Sequence, residues 1–210
     1  MVEVIIFDLQ GTLIENGVYP SPLRQVKNIL RVNMPFSDFV MRFEKVLMTE
    51  QHSSLKEGFV KVCESFNMQP REFIIERLVG LWNKNKLLSK LYPHTVETLS
   101  TLKKDYKLVL VANIDAFSTD TIERFKLKEY FDLIILSCDN GLLKNDKEFY
   151  NTVMDKFSVT QKDILMVGDS LESDVETAKS VGINSVLVDR HNKREYEQKI
   201  VTLDELKKYL

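Results

Sequence analysis

Two carboxylates stand where apolar runs give out. Asp8 follows Val4-Ile5-Ile6-Phe7 and opens the turn Asp8-Leu9-Gln10-Gly11-Thr12, and Asp169 follows Ile164-Leu165-Met166-Val167-Gly168 with Asp174 close behind. Such β-branched and aromatic runs read as buried strands, and the point where a buried strand meets a loop is where parallel-sheet enzymes keep their reactive groups. If both strands lie in one parallel sheet, their acidic ends share an edge. A hard divalent cation such as magnesium, which takes one or two carboxylates together with carbonyls and waters, suits Asp8 and Asp169 there. A carboxylate held against a cation can also attack an electrophilic phosphorus and carry the phosphoryl group as an acyl phosphate. Gly11 lets the chain turn directly after Asp8. The N–H groups of that turn, with the Thr12 hydroxyl, form a candidate cradle for phosphoryl oxygens.

The same edge would collect Asn113 and Asp115 after Val109-Leu110-Val111-Ala112, and Lys144 after the run ending at Ser137. A lysine beside the carboxylates would offset the charge of an anionic substrate. Singly, each of these residues has an ordinary reading: an aspartate after a strand is a turn or cap residue, and a lone lysine is a solvated charge. Their joint occurrence at successive strand ends is what favours a site. Asp115, near Asn113, could serve as an acid in the site, although a loop aspartate at such a position ordinarily caps the helix that follows.

The elements that would position these residues fall into two compositions. From Lys107 onward, apolar runs at 108–111, 133–136, 164–167 and 185–188 alternate with amphipathic stretches, and further helices are expected at 95–104, 118–125, 147–157 and 173–181. Near-continuous apolar strands separated by helices indicate an α/β fold whose parallel sheet is covered on both faces. With the first run this predicts five strands. Residues 16–89 carry no strand-like run and instead show four helical stripes: Leu23, Val26 and Leu30; Phe36, Val40, Phe43 and Leu47; Leu55, Phe59, Val62 and Phe66; and Ile74, Leu78, Leu81 and Trp82. Ser21-Pro22 marks one helix start, Ser54 with Glu57 predicts a capping box, and Pro70 opens the last helix. The expected division is therefore an α/β core from 1–15 and 90–210 with a helical bundle inserted at 16–89. Hinges would lie near 15–17 and 89–93.

The charge balance of 29 Lys+Arg against 31 Asp+Glu, a net charge of -2, gives no global reason to expect nucleic acid or a membrane surface as partner. No apolar stretch reaches the roughly 18 residues of a membrane span, and the chain begins on a strand rather than a secretion signal, so a cytoplasmic location is expected. Cys63 and Cys138 lack metal-ligand spacing and read as packing residues. His52, His94 and His191 read as surface or capping groups.

Taken together, these residues resemble the haloacid dehalogenase (HAD) superfamily across essentially the whole chain. Asp8-Leu9-Gln10-Gly11-Thr12 is similar to its first motif, Ala112-Asn113 to the second, Gly141-Leu142-Leu143-Lys144 to the lysine motif, and Gly168-Asp169-Ser170 with Asp174 to the fourth. Tyr92-Pro93-His94 is similar to the re-entry from cap to core. The resemblance implies a doubly wound, Rossmann-like core carrying a helical cap, with Asp8 as nucleophile. It implies magnesium bound by Asp8, Asp169 and the Gln10 backbone carbonyl. Lys144 would steady the transferred group, and Asp174 would support lysine and metal. Gly11, Thr12, Ala112, Asn113 and Lys144 would surround the phosphoryl group.

Two positions depart from the phosphatase pattern. Gln10 stands where these phosphatases carry a second aspartate that protonates the leaving group and then activates water. An amide cannot exchange a proton at neutral pH, and losing acid–base catalysis costs about 10²- to 10⁴-fold in rate. Ala112 lacks the usual hydroxyl. The expectation is therefore a magnesium-dependent phosphohydrolase acting on a small phosphorylated molecule and favouring good leaving groups. The alternatives are a dehalogenase acting on a halogenated acid, which needs no leaving-group proton, and a catalytically impaired phosphate-binding or regulatory protein. A Schiff base on a cap lysine (Lys27, Lys45, Lys56 or Lys61) is a fourth.

Overall fold

The computed structural model describes the whole chain, residues 1–210. A six-stranded sheet runs in the order β5-β4-β1-β6-β7-β8, built from β1 (Val4–Asp8), β4 (Lys107–Ala112), β5 (Leu133–Leu136), β6 (Ile164–Gly168), β7 (Asn184–Val188) and β8 (Lys199–Ile200). Every neighbouring pair is parallel. The four runs expected from Lys107 onward are strands to within one residue at each end. The sixth, β8, was not expected: two residues at a sheet edge carry no period to read.

Successive side chains of a strand point to opposite faces, and both faces of β1 are buried. Ile5 and Phe7 join one apolar cluster with Leu99, Leu102, Ile122 and Leu203, while Val4 and Ile6 join another with Phe149, Tyr150 and Val153. The covering helices are α5 (Thr95–Leu102), α6 (Asp120–Arg124), α8 (Glu148–Phe157) and α9 (Thr177–Ser180). Two of the expected helices are shorter than the pattern suggested. α6 has five residues, and the stretch before α9 forms a π-helical turn, Leu171–Glu176.

The chain leaves and re-enters the sheet through a two-stranded antiparallel ribbon, β2 (Ile14–Glu15) with β3 (Lys90–Leu91). Between them lie α1 (Pro22–Leu30), α2 (Phe36–Thr49), α3 (Leu55–Ser65) and α4 (Glu72–Leu88). They bury a cluster of their own around Phe39, Phe43, Phe59 and Trp82, where the Phe43 ring lies 5.3 Å from the Trp82 ring and 5.9 Å from that of Phe39. Each fully buried phenylalanine there contributes about 1.5–3 kcal/mol by removing apolar surface from water. The buried face of α2 is Phe39, Phe43, Leu47 and Met48, turned from the expected stripe, with Phe36 and Val40 only partly covered. The predicted capping box is half formed. Ser54 accepts from Glu57 N at 3.2 Å, but the Glu57 carboxylate turns back to Ser53 N instead of Ser54.

α4 is tied firmly to the segment after β4. Trp82 Nε1 donates to Asp115 at 2.8 Å, Lys86 Nζ to the Phe117 carbonyl at 2.8 Å, and Arg124 to the Lys86 carbonyl at 2.8 Å and Ser89 Oγ at 2.6 Å. The other side of the bundle touches the core through Gln51, which donates to the Cys138 carbonyl at 3.0 Å, and through Glu44, described below. Cys138 sits in α7 (Ser137–Asn140), and both cysteines are buried and free. No helix is long and apolar enough to cross a membrane.

Candidate active site

Strand register alone brings the two acidic ends together. β1 lies between β4 and β6, with Asp8 opposite Val111 on one side and Phe7 opposite Val167 on the other. The chain winds outward from β1 to β4 and β5, then returns to β6 and winds the other way. This reversal opens a crevice at the carboxyl ends of the central strands.

Asp8, Asp169 and Asp174 converge there, each offering an oxygen within 4.8 Å of the others. Asp8 and Asp174 are buried and Asp169 is half-buried. Two glycines make room for them. A Cβ on Gly11, whose φ of +85° already favours glycine, would lie 2.2 Å from Asp169 Oδ2, and a Cβ on Gly168 would lie 2.2 Å from Asp174 Oδ2. Lys144, itself buried, places Nζ 2.5 Å from Asp8 and 2.7 Å from Asp174. Its backbone N–H donates to Asn113 Oδ1 at 2.9 Å, so Asn113 holds the lysine loop in place. Ser170 N donates to Asp174 at 3.0 Å.

Several of the candidate residues have partners within the chain. The Gly11 N–H donates to the Ile14 carbonyl at 2.8 Å, and the buried Thr12 hydroxyl donates to Asp8 at 3.1 Å. The Gly11 N–H and the Thr12 hydroxyl are thus engaged inside the turn, the hydroxyl on Asp8 itself. Asp115 is not a spare acid. Its carboxylate accepts from Trp82 Nε1, from Phe117 N at 3.0 Å and from Ser118 Oγ at 2.8 Å, so it anchors the helical bundle and the turn behind it. Ala112 is buried at the end of β4, offering only a methyl group beside Asn113. Gln10 is half-buried, and its Oε1 is enclosed without a hydrogen-bond partner.

Three residues escaped the sequence reading. Glu44 of α2 accepts from Asn113 Nδ2 at 2.7 Å, which brings a carboxylate of the helical bundle to the strand edge. Arg190 donates to the Thr12 carbonyl and stacks over Tyr92, its guanidinium carbon 4.0 Å from the ring centre, and Arg194 donates to the Asp169 carbonyl. The arginines follow β7 in an irregular loop with no motif to mark them. Glu44 had a signal, since it stands four residues after Val40 and three before Leu47, where a charge borders an apolar stripe.

The charges decide what the site can hold. Burial pushes the Asp8 carboxyl up to about 6, Lys144 opposing and Asp174 reinforcing the shift. Burial, then the charges of Asp8 and Asp174, push Asp169 up to about 8. Burial alone would lower Lys144, but Asp174 and Asp8 outweigh it and hold the ammonium charged. One lysine thus pairs with two of three crowded carboxylates, and the donor set is all oxygen. That set fits a hard divalent cation such as magnesium, to which Asp8, Asp169, Asp174 and the Gln10 carbonyl are the residues to consider.

A stability test follows from the signs. Unfolded aspartates titrate near 4, so Asp8 and Asp169 bind protons more readily in the folded chain. Their contribution to stability is greatest below about pH 4 and falls away as pH rises through about 6 and then 8. Lys144, raised in the folded state, stays constant across this window. Cation-free protein should therefore melt at a lower temperature at pH 8 than at pH 5.5, and added magnesium should raise the melting temperature more at pH 8. Thermal melts in chelator and in magnesium check both; equal magnesium effects at the two pH values would count against a site at these carboxylates.

Comparison with known proteins places this geometry among relatives. A profile of the family described as haloacid dehalogenase-like hydrolase matches residues 5–188. The glyceraldehyde 3-phosphate phosphatase of Pyrococcus furiosus is 24% identical over 192 residues, which are 88% of this chain and 80% of that protein. The crystal structure of a HAD phosphatase from Thermococcus onnurineus superposes with a TM-score of 0.63 at 25% identity, covering 99% of this chain and 97% of the other. A HAD-family enzyme from Bacteroides thetaiotaomicron, solved with magnesium and inorganic phosphate, superposes with a TM-score of 0.63 at 18% identity over 93% of this chain and 98% of the other, which is a likeness of fold.

Proposed function

Because the chain belongs to the haloacid dehalogenase-like hydrolases, and is therefore a hydrolase, we propose that it is a magnesium-dependent phosphohydrolase of small phosphorylated molecules with Asp8 as its nucleophile. The observation that carries this reading is the buried Asp8–Lys144–Asp174 ion-pair triad with Asp169 beside it at the carboxyl edge of the sheet. A bound magnesium ion would draw charge from the phosphoryl oxygens and hold the Asp8 carboxylate ionised.

The chain's own groups do the rest. Thr12 and Lys144 fix the two oxygens of Asp8 from different sides, so the carboxylate meets phosphorus in one orientation. Lys144 supplies the positive charge that a phosphoryl group in transfer requires, and Asn113 holds the lysine backbone. Attack by Asp8 breaks the bond from phosphorus to the leaving oxygen and leaves an aspartyl phosphate. Water then releases inorganic phosphate and restores Asp8. Substrates whose leaving group departs as a stable anion are favoured, because Gln10 supplies no proton and any donor must reach the leaving oxygen from outside this turn.

A phosphate-release assay over acetyl phosphate, an aryl phosphate and several alkyl phosphates, with and without magnesium, tests the reading. The expected result is magnesium-dependent release, fastest from acetyl phosphate; magnesium-independent release from all of them would refute it. Gln10→Asp is expected to raise kcat on alkyl phosphates, by up to about 10²-fold where no other group protonates the leaving oxygen, while changing acetyl phosphate little. A gain on acetyl phosphate as large as that on alkyl phosphates would remove leaving-group protonation as the reason for the preference.

A further inference from the structure

We propose that Glu44, reaching from α2 to the Asn113 side chain, carries the proton to and from the leaving oxygen, the task that Gln10 cannot perform. The assignment rests on the phosphohydrolase reading above. It begins from direction: in an in-line displacement the leaving oxygen departs on the side of phosphorus opposite the attacking one. Asp8 attacks from the end of β1, so departure is toward the helical bundle. Glu44 is the bundle residue whose carboxylate meets the strand edge there. Only two contacts separate it from the nucleophile's own partner. Asn113 donates to Glu44 at 2.7 Å and accepts from Lys144 N at 2.9 Å, and Lys144 Nζ lies 2.5 Å from Asp8.

The carboxylate is also free to act. Its Oε2 takes the Asn113 bond and its Oε1 has no protein partner, so one oxygen is held while the other is available. No ammonium or guanidinium lies in ion-pair contact with it, which would lock it as an anion. Burial raises it to about 7, with Lys144 and the Asn113 bond opposing and Asp8 and Asp174 reinforcing, so both protonation states are populated near neutral pH. Lys144, Asp8 and Asp174 are the core charges that act on it most, and Asn113 is its hydrogen-bond partner. The ordinary reading, a polar tether between bundle and core, explains the Asn113 bond but not a carboxyl left without a countercharge.

The balance is complete. Protonated Glu44 gives its proton to the leaving oxygen as the bond to phosphorus breaks, yielding an alcohol, the aspartyl phosphate and a Glu44 carboxylate. That carboxylate then takes a proton from the water whose oxygen attacks phosphorus. The bond to Asp8 breaks, inorganic phosphate leaves, and Glu44 is again the acid.

The test compares wild type with Glu44→Gln, Glu44→Asp and the Gln10→Asp/Glu44→Gln double variant on glycerol 1-phosphate and acetyl phosphate. Glu44→Gln is expected to lower kcat/KM on glycerol 1-phosphate by about 10²-fold and on acetyl phosphate by less than about threefold. With acetyl phosphate it should accumulate acid-stable phosphoenzyme, because formation is intact and breakdown is slow. Glu44→Asp should keep the pH dependence at a reduced rate, and Gln10→Asp should restore turnover of glycerol 1-phosphate. Equal losses on both substrates without phosphoenzyme would make Glu44 a tether and overturn the assignment. A wild type that releases no phosphate from either probe would instead overturn the phosphohydrolase reading, and this assignment with it.

Discussion

Asp8→Asn is expected to lower phosphate release by about 10⁴- to 10⁶-fold, the scale seen when the nucleophile of a covalent mechanism is removed. The amide keeps the shape of the carboxylate, and its oxygen can still accept from Thr12, which donates to Asp8 at 3.1 Å. Lys144 keeps Asp174 as partner at 2.7 Å, so the fold has no charge left stranded by this change. The loss should therefore appear in kcat with little change in melting temperature. Acid quenching of wild type during turnover should trap a phosphoryl group on the chain, and the variant should trap none. Residual activity within tenfold of wild type would exclude Asp8 as the attacking group.

Lys144→Met tests the opposite side of the same triad, and here the effect is on the fold. Breaking a buried ion pair by removing one partner costs about 3–5 kcal/mol, because the remaining charge stays buried without compensation. Asp8 and Asp174 would then face each other with Asp169 nearby and no ammonium between them. Denaturant melts in chelator should show the loss at pH 8 and a smaller one at pH 5.5, since protonation relieves the carboxylates. Magnesium should recover part of it. A loss independent of pH would mean that packing of the lysine stem, rather than charge, is what the variant removes.

The fold was readable because buried parallel strands are continuous apolar runs: Leu133–Leu136 is the expected strand residue for residue, and the other expected strands differ by one residue at one end, or at both in β4. Helical stripes were readable as helices but not as faces. In α2 the stripe at Phe36 and Val40 is half-buried while Phe39 and Met48 are covered, since docking against α3 and α4, not periodicity, chose the rotation. The candidate residues Asp8, Lys144, Asp169 and Asp174 were legible because each ends a strand or follows one closely, and the register does the rest. The engagement of the Gly11 N–H and the Thr12 hydroxyl was not legible, because a turn's own hydrogen bonds compete for the donors that a ligand would use. Glu44 was missed because it belongs to the site through the packing of one helical unit on another.

The moorings of the bundle on the core are unequal, which bears on how a substrate would get in. Swinging α4 away would break the bonds of Trp82 to Asp115, Lys86 to Phe117, and Arg124 to Lys86 and Ser89, whereas at the α2 end, which also packs on α7, the side-chain hydrogen bonds to the core are those of Gln51 to Cys138 and Glu44 to Asn113. Were the bundle to open over the sheet edge, it would be a door hung on α4 that parts at α2. Such an opening would carry Glu44 off with the door leaf while Asp8 stays in the frame, so a machine with its entrance ajar would own the proposed attacker but not the proposed acid.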